Sequence, residues 1–327
     1  MNLQGKRAAI VTLGCKVNQY ETDAMYGMLK EAGVTMVDPK EAADIYIVNT
    51  CSVTNMAERK SRQMLHKAKK QNPNAVVVAT GCYVQTATEK VAQDLSIDLV
   101  VGNNRKKDIV EILNEYYAEK EAGEQVKEEY VIDINHTDEY EDLEISTVTE
   151  HTRAHLKIQD GCNNFCSYCI IPYARGRIRS RTMESIKAEL ERLSTSGFKE
   201  IVLTGINLSC YDDNGKKLID VIEMAYNVNG IERIRLGSLD PEVVTEDFVE
   251  RLGKVKKICP HFHFSLQSGC DKTLKAMNRH YTSDEYYEKC QLIRKYIDNP
   301  AFTTDVIVGF PGETEEDYIS SRAVSYT

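Results

Sequence analysis

The feature that most restricts this chain is an alternation, run through twice, of short unbroken apolar segments with segments of helical period. In the first part, "RAAIVTLGC", "ADIYIVNTC", "AVVVATGC" and "IDLVVGN" are apolar on successive residues. Strands of that kind bury both faces, whereas a half-solvated strand alternates. Between them lie "ETDAMYGMLKEAG", stopped at Gly33, the basic "AERKSRQMLHKAKKQNP", ended near Pro73, and "TATEKVAQDL". "KKDIVEILNEYYAEKEA" closes the set. The pattern predicts an α/β fold over residues 1–120, an open parallel sheet with helices on both faces. After residue 150 the alternation resumes. "AHLKIQD", "EIVLTGIN", "RIRLGSLD", "HFHFSLQSG" and "TTDVIVGF" are strand candidates, with helical segments between them. Residues 151–327 are therefore expected to form a second α/β unit that curls into a full or partial barrel.

With 327 residues and 42% apolar content, the chain can bury two cores. The apolar run in "MNLQGKRAAIVTLGC" is too short for a signal peptide, and no run reaches membrane-spanning length. The expectation is a soluble cytoplasmic protein without a membrane partner. In a reducing compartment, its ten cysteines are not a disulfide framework. They bind metal, react, or pack as small hydrophobes. The net charge of −9 misleads. Residues 119–150 hold twelve acidic residues and two lysines, a net of −10, which leaves +1 for everything else. The folded parts are nearly neutral, so a nucleic-acid partner is not excluded. The stretch 121–150 reads as an acidic linker with one strand at "EYVIDI".

Cys15, Cys51 and Cys82 each stand at the end of an expected strand, in "TLGC", "NTC" and "TGC". Ligands of open parallel sheets bind outside the carboxyl ends of the strands. Three such ends can converge into one three-thiolate set; the plainer alternative is three small buried residues. "CNNFCSYC" places Cys162, Cys166 and Cys169 in a C-x3-C-x2-C pattern directly after a strand, on the face where barrel active sites sit. Zinc is the competing reading, with His155 or His151 as fourth ligand, but no Cys/His pair follows at finger spacing. Cys210, Cys259, Cys270 and Cys290 share no spacing and read as packing residues. A cubic iron–sulfur cluster on three thiolates keeps one iron open, and an open position separates catalytic from structural metal sites. S-adenosylmethionine, bidentate through its amino and carboxylate groups, suits that position.

These motifs carry a resemblance. "CNNFCSYC" resembles the cluster motif of radical S-adenosylmethionine enzymes, with the aromatic Tyr168 before the last cysteine. "TLGCKVNQYETD", "NTCSVT" and "GCYVQ" resemble the N-terminal domain of the methylthiotransferases. "TLGCKVNQYET" with "CIIPYARGRIRSR" is most similar to the branch acting on N6-threonylcarbamoyladenosine in tRNA. The resemblance implies an N-terminal methylthiotransferase domain over 1–120 and a radical S-adenosylmethionine domain of (β/α)6 partial-barrel type over 151–327. It implies one [4Fe–4S] cluster on Cys162, Cys166 and Cys169, and an auxiliary [4Fe–4S] cluster on Cys15, Cys51 and Cys82. The implied activity is methylthiolation at C2 of the adenine next to the anticodon, with S-adenosylmethionine as cosubstrate and an electron donor such as flavodoxin or ferredoxin. Alternatives are the same chemistry on isopentenyladenosine tRNA or a ribosomal protein, or a non-catalytic iron–sulfur RNA-binding protein.

The resemblance also assigns Thr204, Gly205 and Asn207 in "TGIN" to the methionine moiety, and Val308 and Gly309 in "DVIVGFPGET" to the adenine. Both segments read equally as tight strand-to-helix turns. Ser265 and Gln267 in "SLQSG" bind ligand or cap the next helix. Arg175, Arg177, Arg179 and Arg181 recur every second residue, and an extended segment puts them on one side as a ladder for phosphates. Family members continue past "GETEEDY" into a sixth barrel strand and a small RNA-binding β-barrel, whereas this sequence reads "ISSRAVSYT" there. The expectation is therefore a truncated barrel without the C-terminal RNA-binding domain.

Overall fold

The computed structural model describes residues 3–123, 128–145 and 153–324. The chain divides into two compact units: residues 1–150 with 170–177, and residues 151–169 with 178–327.

The first unit is built on strands β1 (Arg7–Thr12), β2 (Thr35–Met36), β3 (Ile45–Thr50), β4 (Val76–Gly81), β5 (Leu99–Val101) and β6 (Glu128–Tyr130). They form one parallel sheet in the order β2-β1-β3-β4-β5-β6. Every residue of β3 and β4 is buried, as their unbroken apolar sequence demands. Successive side chains take opposite faces. Ile45, Ile47, Val76 and Val78 pack with Met25 and Leu29 of α1 (Lys16–Glu31). Tyr46, Val48, Val77 and Ala79 pack with Leu65 and Ala68 of α2 (Asn55–Gln71). Thr54 caps α2 by accepting from the Ala57 amide at 3.1 Å. Two short helices follow β4, α3 (Cys82–Thr86) and α4 (Thr88–Ala92), where one was expected. α5 (Ile109–Glu121) closes the α1 side, and α6 (Ile171–Arg175) returns to this unit from beyond the cysteine loop.

The described part of the acidic stretch beyond the end of α5, residues 128–145, packs on the first unit. β6 lies in it and pairs with β5, and Leu143 and Ile145 bury against Tyr20 and Ala24 of α1. The Lys107 amide donates to buried Glu141 at 3.0 Å. Residues 141–145 alternate buried and exposed, with Asp142 and Glu144 outward. The acidic side chains hid an apolar period of two.

The second unit opens with β7 (Ala154–Lys157) and β8 (Gln159–Asp160), the latter antiparallel to β9 (Arg179–Ser180). Next come α7 (Met183–Thr195), β10 (Glu200–Thr204), the hairpin β11 (Asp212–Asp213) and β12 (Lys216–Lys217), and α8 (Leu218–Tyr226). β13 (Arg233–Leu236), β14 (Ser238–Leu239), α9 (Glu246–Lys254) and β15 (His261–Phe264) follow. The end holds α10 (Asp271–Ala276), α11 (Ser283–Tyr296), β16 (Ala301–Thr303) and α12 (Glu315–Val324). β7, β10 and β13 pair in parallel, as do β14, β15 and β16, and an Ile234–Ile258 bridge extends β13 toward β15. Neighbouring strands thus follow chain order with helices between them, the connectivity of a (β/α) partial barrel. The last strand departs from expectation. It is Ala301–Thr303, so of "TTDVIVGF" the strand holds only Thr303, and the rest contributes a bridge from Val306 to Gln267, with Val306 and Val308 exposed.

Candidate functional site

In the first unit the strand order reverses between β1 and β3. The crevice at such a switch point is where open α/β sheets bind ligands. Cys15 and Cys51 follow the two strands that flank it, and Cys82 follows the neighbouring β4. Cys15 is the residue before α1. It exposes surface to solvent, yet burial of its surroundings is the main cause that raises its thiol pKa, against the lowering charge of Arg175. Cys51 is buried, and burial raises its pKa too. Its amide donates to Ser61 Oγ at 3.1 Å, and that hydroxyl donates back to its carbonyl at 3.0 Å. Cys82 is buried at the start of α3. Two glycines make the approach possible. Gly81 has φ +97°, and a Cβ there would lie 2.5 Å from the Thr50 carbonyl. A Cβ on Gly14 would meet Cys51 Sγ at 3.0 Å.

Under these cysteines lies a buried polar network. Asn18 Nδ2 donates to the carbonyls of Leu13 at 2.7 Å and Thr50 at 2.9 Å, tying the ends of β1 and β3. Its Oδ1 accepts from Arg175 Nη2 at 2.5 Å. Arg175 also grips both oxygens of Glu21, and Lys106 Nζ reaches the same carboxylate at 3.1 Å. Arg175, Glu21 and Lys106 are all fully buried. Asn103 accepts from Lys106 and donates to the Ala174 carbonyl at 2.6 Å, which fixes α6.

In the second unit, Cys162, Cys166 and Cys169 occupy the loop after β8, and all three are partly buried. The loop is held from the segment after α10. Ser167 donates through its amide and hydroxyl to the carbonyls of Met277 and Ala276 at 3.1 and 2.9 Å. Asn278 donates to the carbonyls of Asn164 and Phe165, the latter residue at φ +47°. Arg279 donates to Cys166 Sγ at 3.4 Å and to Asp240 at 2.8 Å. Burial opposes the Arg279 charge, but Asp240 and Cys166 outweigh it and raise its pKa. Burial raises the Cys162 thiol pKa, against hydrogen bonds from Asn164 and Asn207 that lower it.

Gln159 organises the neighbouring turn: its Oε1 accepts from the Asn207 amide at 2.7 Å, and its Nε2 donates to the Asp160 and Gly161 carbonyls. A Cβ on Gly205 would stand 3.0 Å from Gln159, which would have to give way by a few tenths of an ångström. Thr204 and Asn207 are buried beside it. Ser265 shares a hydroxyl contact with Ser238 at 3.0 Å, and Gln267 has φ +66°. Tyr168 packs edge-on to Phe310, and burial raises its pKa. Val308 is 63% exposed. Gly309 has φ +75° and open space at its Cβ direction, so its backbone turn rather than close packing asks for glycine.

The expected arginine ladder is not formed. Arg175 lies in helix α6, whereas Arg179 lies in β9. Arg175, Arg179 and Arg181 are buried and pair with Glu21, Asp160 and Glu189, and Arg177 is exposed. Pro172 in the first turn of α6 and Gly176 at φ +70° after it break the extended run. They are the sequence signal that the period-two reading missed. Arg279, Asp240, Gln159 and Lys106 were also missed, because none sits in a cysteine motif, and Glu21 was passed over although it lies within "TLGCKVNQYETD".

A comparison of sequence patterns matches the radical SAM superfamily to residues 156–322 and the uncharacterized protein family UPF0004 to residues 7–102. The threonylcarbamoyladenosine tRNA methylthiotransferase MtaB of Bacillus subtilis (strain 168) is 41% identical over 318 residues, spanning 96% of this chain and 69% of its own. The chain belongs to the radical S-adenosylmethionine methylthiotransferase family. Another relative in this family, the tRNA-2-methylthio-N(6)-dimethylallyladenosine synthase of Clostridium botulinum (strain Langeland), is 36% identical over 94% of this chain and 69% of its own. Among solved structures, the radical S-adenosylmethionine methyltransferase TsrM of Kitasatospora setae, with cobalamin and a [4Fe–4S] cluster bound, aligns with a TM-score of 0.70. It covers 98% of this chain and 70% of its own at 16% identity, a likeness of fold.

Membership of a radical S-adenosylmethionine methylthiotransferase family brings S-adenosylmethionine and a [4Fe–4S] cluster, and the chain is a transferase. The donor chemistry fits, since thiols are the protein ligands of such clusters. Buried polar atoms with no hydrogen-bond partner, Asn49 Oδ1, Ser52 Oγ and Thr80 Oγ1, lie next to Cys51 and Cys82 in the chain. As the side chains stand, no group of three or more Cys, His, Asp or Glu among the described residues is close enough to hold a metal ion. His155 is half-buried on β7, and His151 lies outside the described residues. No helix among the described residues is long and apolar enough to cross a membrane.

Proposed function

We propose that this methylthiotransferase acts on tRNA in the cytoplasm, adding a methylthio group at C2 of N6-threonylcarbamoyladenosine beside the anticodon. The observation that carries the reading is the 41% identity to MtaB over 96% of the chain, against 36% to the dimethylallyladenosine synthase. Two [4Fe–4S] clusters serve it, one on Cys162, Cys166 and Cys169 and an auxiliary one on Cys15, Cys51 and Cys82. What the bound cluster of the second unit supplies is an electron, from a donor such as flavodoxin or ferredoxin, that cleaves S-adenosylmethionine reductively.

The chain's own residues bind and orient. Asp240 holds Arg279 against Cys166, and the 276–279 segment fixes the loop that presents the thiols. Gln159 sets the Thr204–Asn207 turn, which offers Thr204, Gly205 and Asn207 to the methionine moiety. Ser265, Gln267, Val308, Gly309 and Tyr168 line the remainder of the cofactor site. Arg177, the exposed arginine of its run, meets phosphate.

Mass spectrometry of tRNA nucleosides from cells with and without the gene tests this. Loss of the 2-methylthio form with accumulation of threonylcarbamoyladenosine is expected. Loss of the methylthio group from the isopentenyl nucleoside instead would move the substrate to that branch. Unchanged tRNA would favour a ribosomal protein or a non-catalytic role.

A further inference from the structure

Helix α2 carries six lysines and arginines against one carboxylate, Glu58. On its flanks the charges are matched: Arg62 pairs with Glu58, His66 with Asp94 at 2.7 Å and Lys69 with Asp98 at 2.8 Å. Arg59, Lys60, Lys67 and Lys70 are exposed and make no ion pair or side-chain hydrogen bond among the described residues. With Met56 and Gln63 they stand at helical spacing on one outward stripe, about 16 Å long from Arg59 to Lys70. A run of charge on a helix is ordinarily a solvated face, and two observations set this one apart. The first is where the stripe begins. α2 starts four residues after Cys51, and Ser61 Oγ bonds both the amide and the carbonyl of Cys51. At that end Val53 and Met56 are 55% and 71% exposed and add apolar surface. The second is polarity. Residues 128–145 hold eight acidic residues and no lysine or arginine. They lie at the β6 edge and, through Leu143 and Ile145, on α1, which covers the sheet face opposite α2.

We propose that the outward stripe of α2, Arg59, Lys60, Gln63, Lys67 and Lys70, is a docking surface for an RNA phosphate backbone and holds the tRNA strand that passes the cysteine end of the first unit. The inference rests on the reading that tRNA is the substrate. Four cations spread along a helix cannot converge on one small anion, but they can follow successive phosphates of a strand. Each phosphate so neutralised releases counterions, which supplies affinity without reading sequence. The stripe therefore positions the RNA, and Gln63 adds a neutral donor for a phosphate oxygen. A protein partner would call for an apolar or aromatic centre within the contact, and beyond Met56 the stripe has none. The acidic residues on the α1 side repel a polyanion, so the field of the unit turns an approaching RNA toward α2.

The test measures binding of an unmodified tRNA transcript to the full chain over a series of salt concentrations. The stripe variant carries Arg59→Gln, Lys60→Gln, Lys67→Gln and Lys70→Gln. A control of equal charge carries Lys187→Gln, Lys199→Gln, Lys254→Gln and Lys295→Gln, all exposed in the second unit. The stripe variant should bind about 10–100-fold more weakly at low salt, and its plot of log affinity against log salt should be shallower by about 2–3. The control should stay within about twofold of the parent. Lys60→Arg, Lys67→Arg and Lys70→Arg together should keep the parent's affinity and slope. An unchanged slope in the stripe variant, or an equal loss in the control, would overturn the proposal. Intact tRNA affinity with slower reduction by flavodoxin would give the stripe to an acidic protein and overturn it as well. A parent that binds no tRNA would refute the substrate reading itself, a result separate from a parent that binds and a stripe variant that matches it.

Discussion

The two cysteine triads are built by opposite means. In the second unit one loop carries Cys162, Cys166 and Cys169, and Asn278, Arg279 and the Ala276 and Met277 carbonyls that Ser167 reaches pin that loop from a single neighbouring segment. In the first unit, Cys15, Cys51 and Cys82 follow three separate strands, so the site proposed on them depends on β1, β3 and β4 pairing in register. The loop triad is a local device and the sheet triad a topological one. Local devices survive small errors in the sheet, and topological ones do not. The difference also explains why buried charge collects under the sheet triad: Glu21, Lys106 and Arg175 come from distant parts of the chain and lock its register.

The sharpest way to break this comparison is at Gly81. A Cβ there meets the Thr50 carbonyl at 2.5 Å and Asn49 Oδ1 at 2.6 Å, at a φ of +97°. Gly81→Ala should destabilise the first unit by roughly 3 kcal/mol or more and abolish its iron. The corresponding change in the second unit, Gly205→Ala, presses on Gln159 at 3.0 Å, mostly side chain, and should cost about 1–2 kcal/mol. Denaturant unfolding of both variants, with iron analysis, measures the contrast. Equal losses would mean the sheet triad is no more topological than the loop triad.

A milder effect is expected at Arg279. Arg279→Gln removes the donor to Cys166 and leaves Asp240 without its cation. Reductive cleavage of S-adenosylmethionine should fall about 10–100-fold, while iron at the first unit is retained. Loss of iron from both units would show that the sites are not separately supported.

How much of this could be read beforehand follows the same division. Both sets of cysteines could be picked out as candidates, one from spacing and the other from three strand-end positions, and both remain proposed ligand sets. The sheet was visible because β3 and β4 are apolar at every residue. The supports were not. Arg175 stood in a period-two run that suggested an exposed ladder, and only Pro172 and Gly176 signalled a helix that turns it inward. Leu143 and Ile145 were masked by the acids between them. The terminal strand was misplaced by a few residues because Val306 and Val308 look like core and are exposed. Partners that lie far apart in sequence leave no local periodicity, which is why Glu21, Lys106 and Arg279 escaped.

The smallest effect concerns a cysteine outside both triads. Burial pushes the Cys290 thiol up to about 11 from 9.0, opposed by Arg294. The folded state therefore favours the neutral thiol. Its contribution to stability is complete below the ordinary thiol value and is lost as pH rises through about 11. Alkylation followed by mass spectrometry should leave Cys290 unlabelled at neutral pH in the folded protein. Labelling there at the rate of an unfolded control would remove it from the core.

The most direct measurement is iron per chain in the reconstituted protein and in its two triple Cys→Ala variants, read together with 5′-deoxyadenosine formation. About eight irons are expected in the parent, from two four-iron sites, and about half that in each variant. Cleavage should vanish without Cys162, Cys166 and Cys169 and persist without Cys15, Cys51 and Cys82. Undiminished iron in the second variant, or iron lost entirely in either, would contradict two independent sites built by two different means.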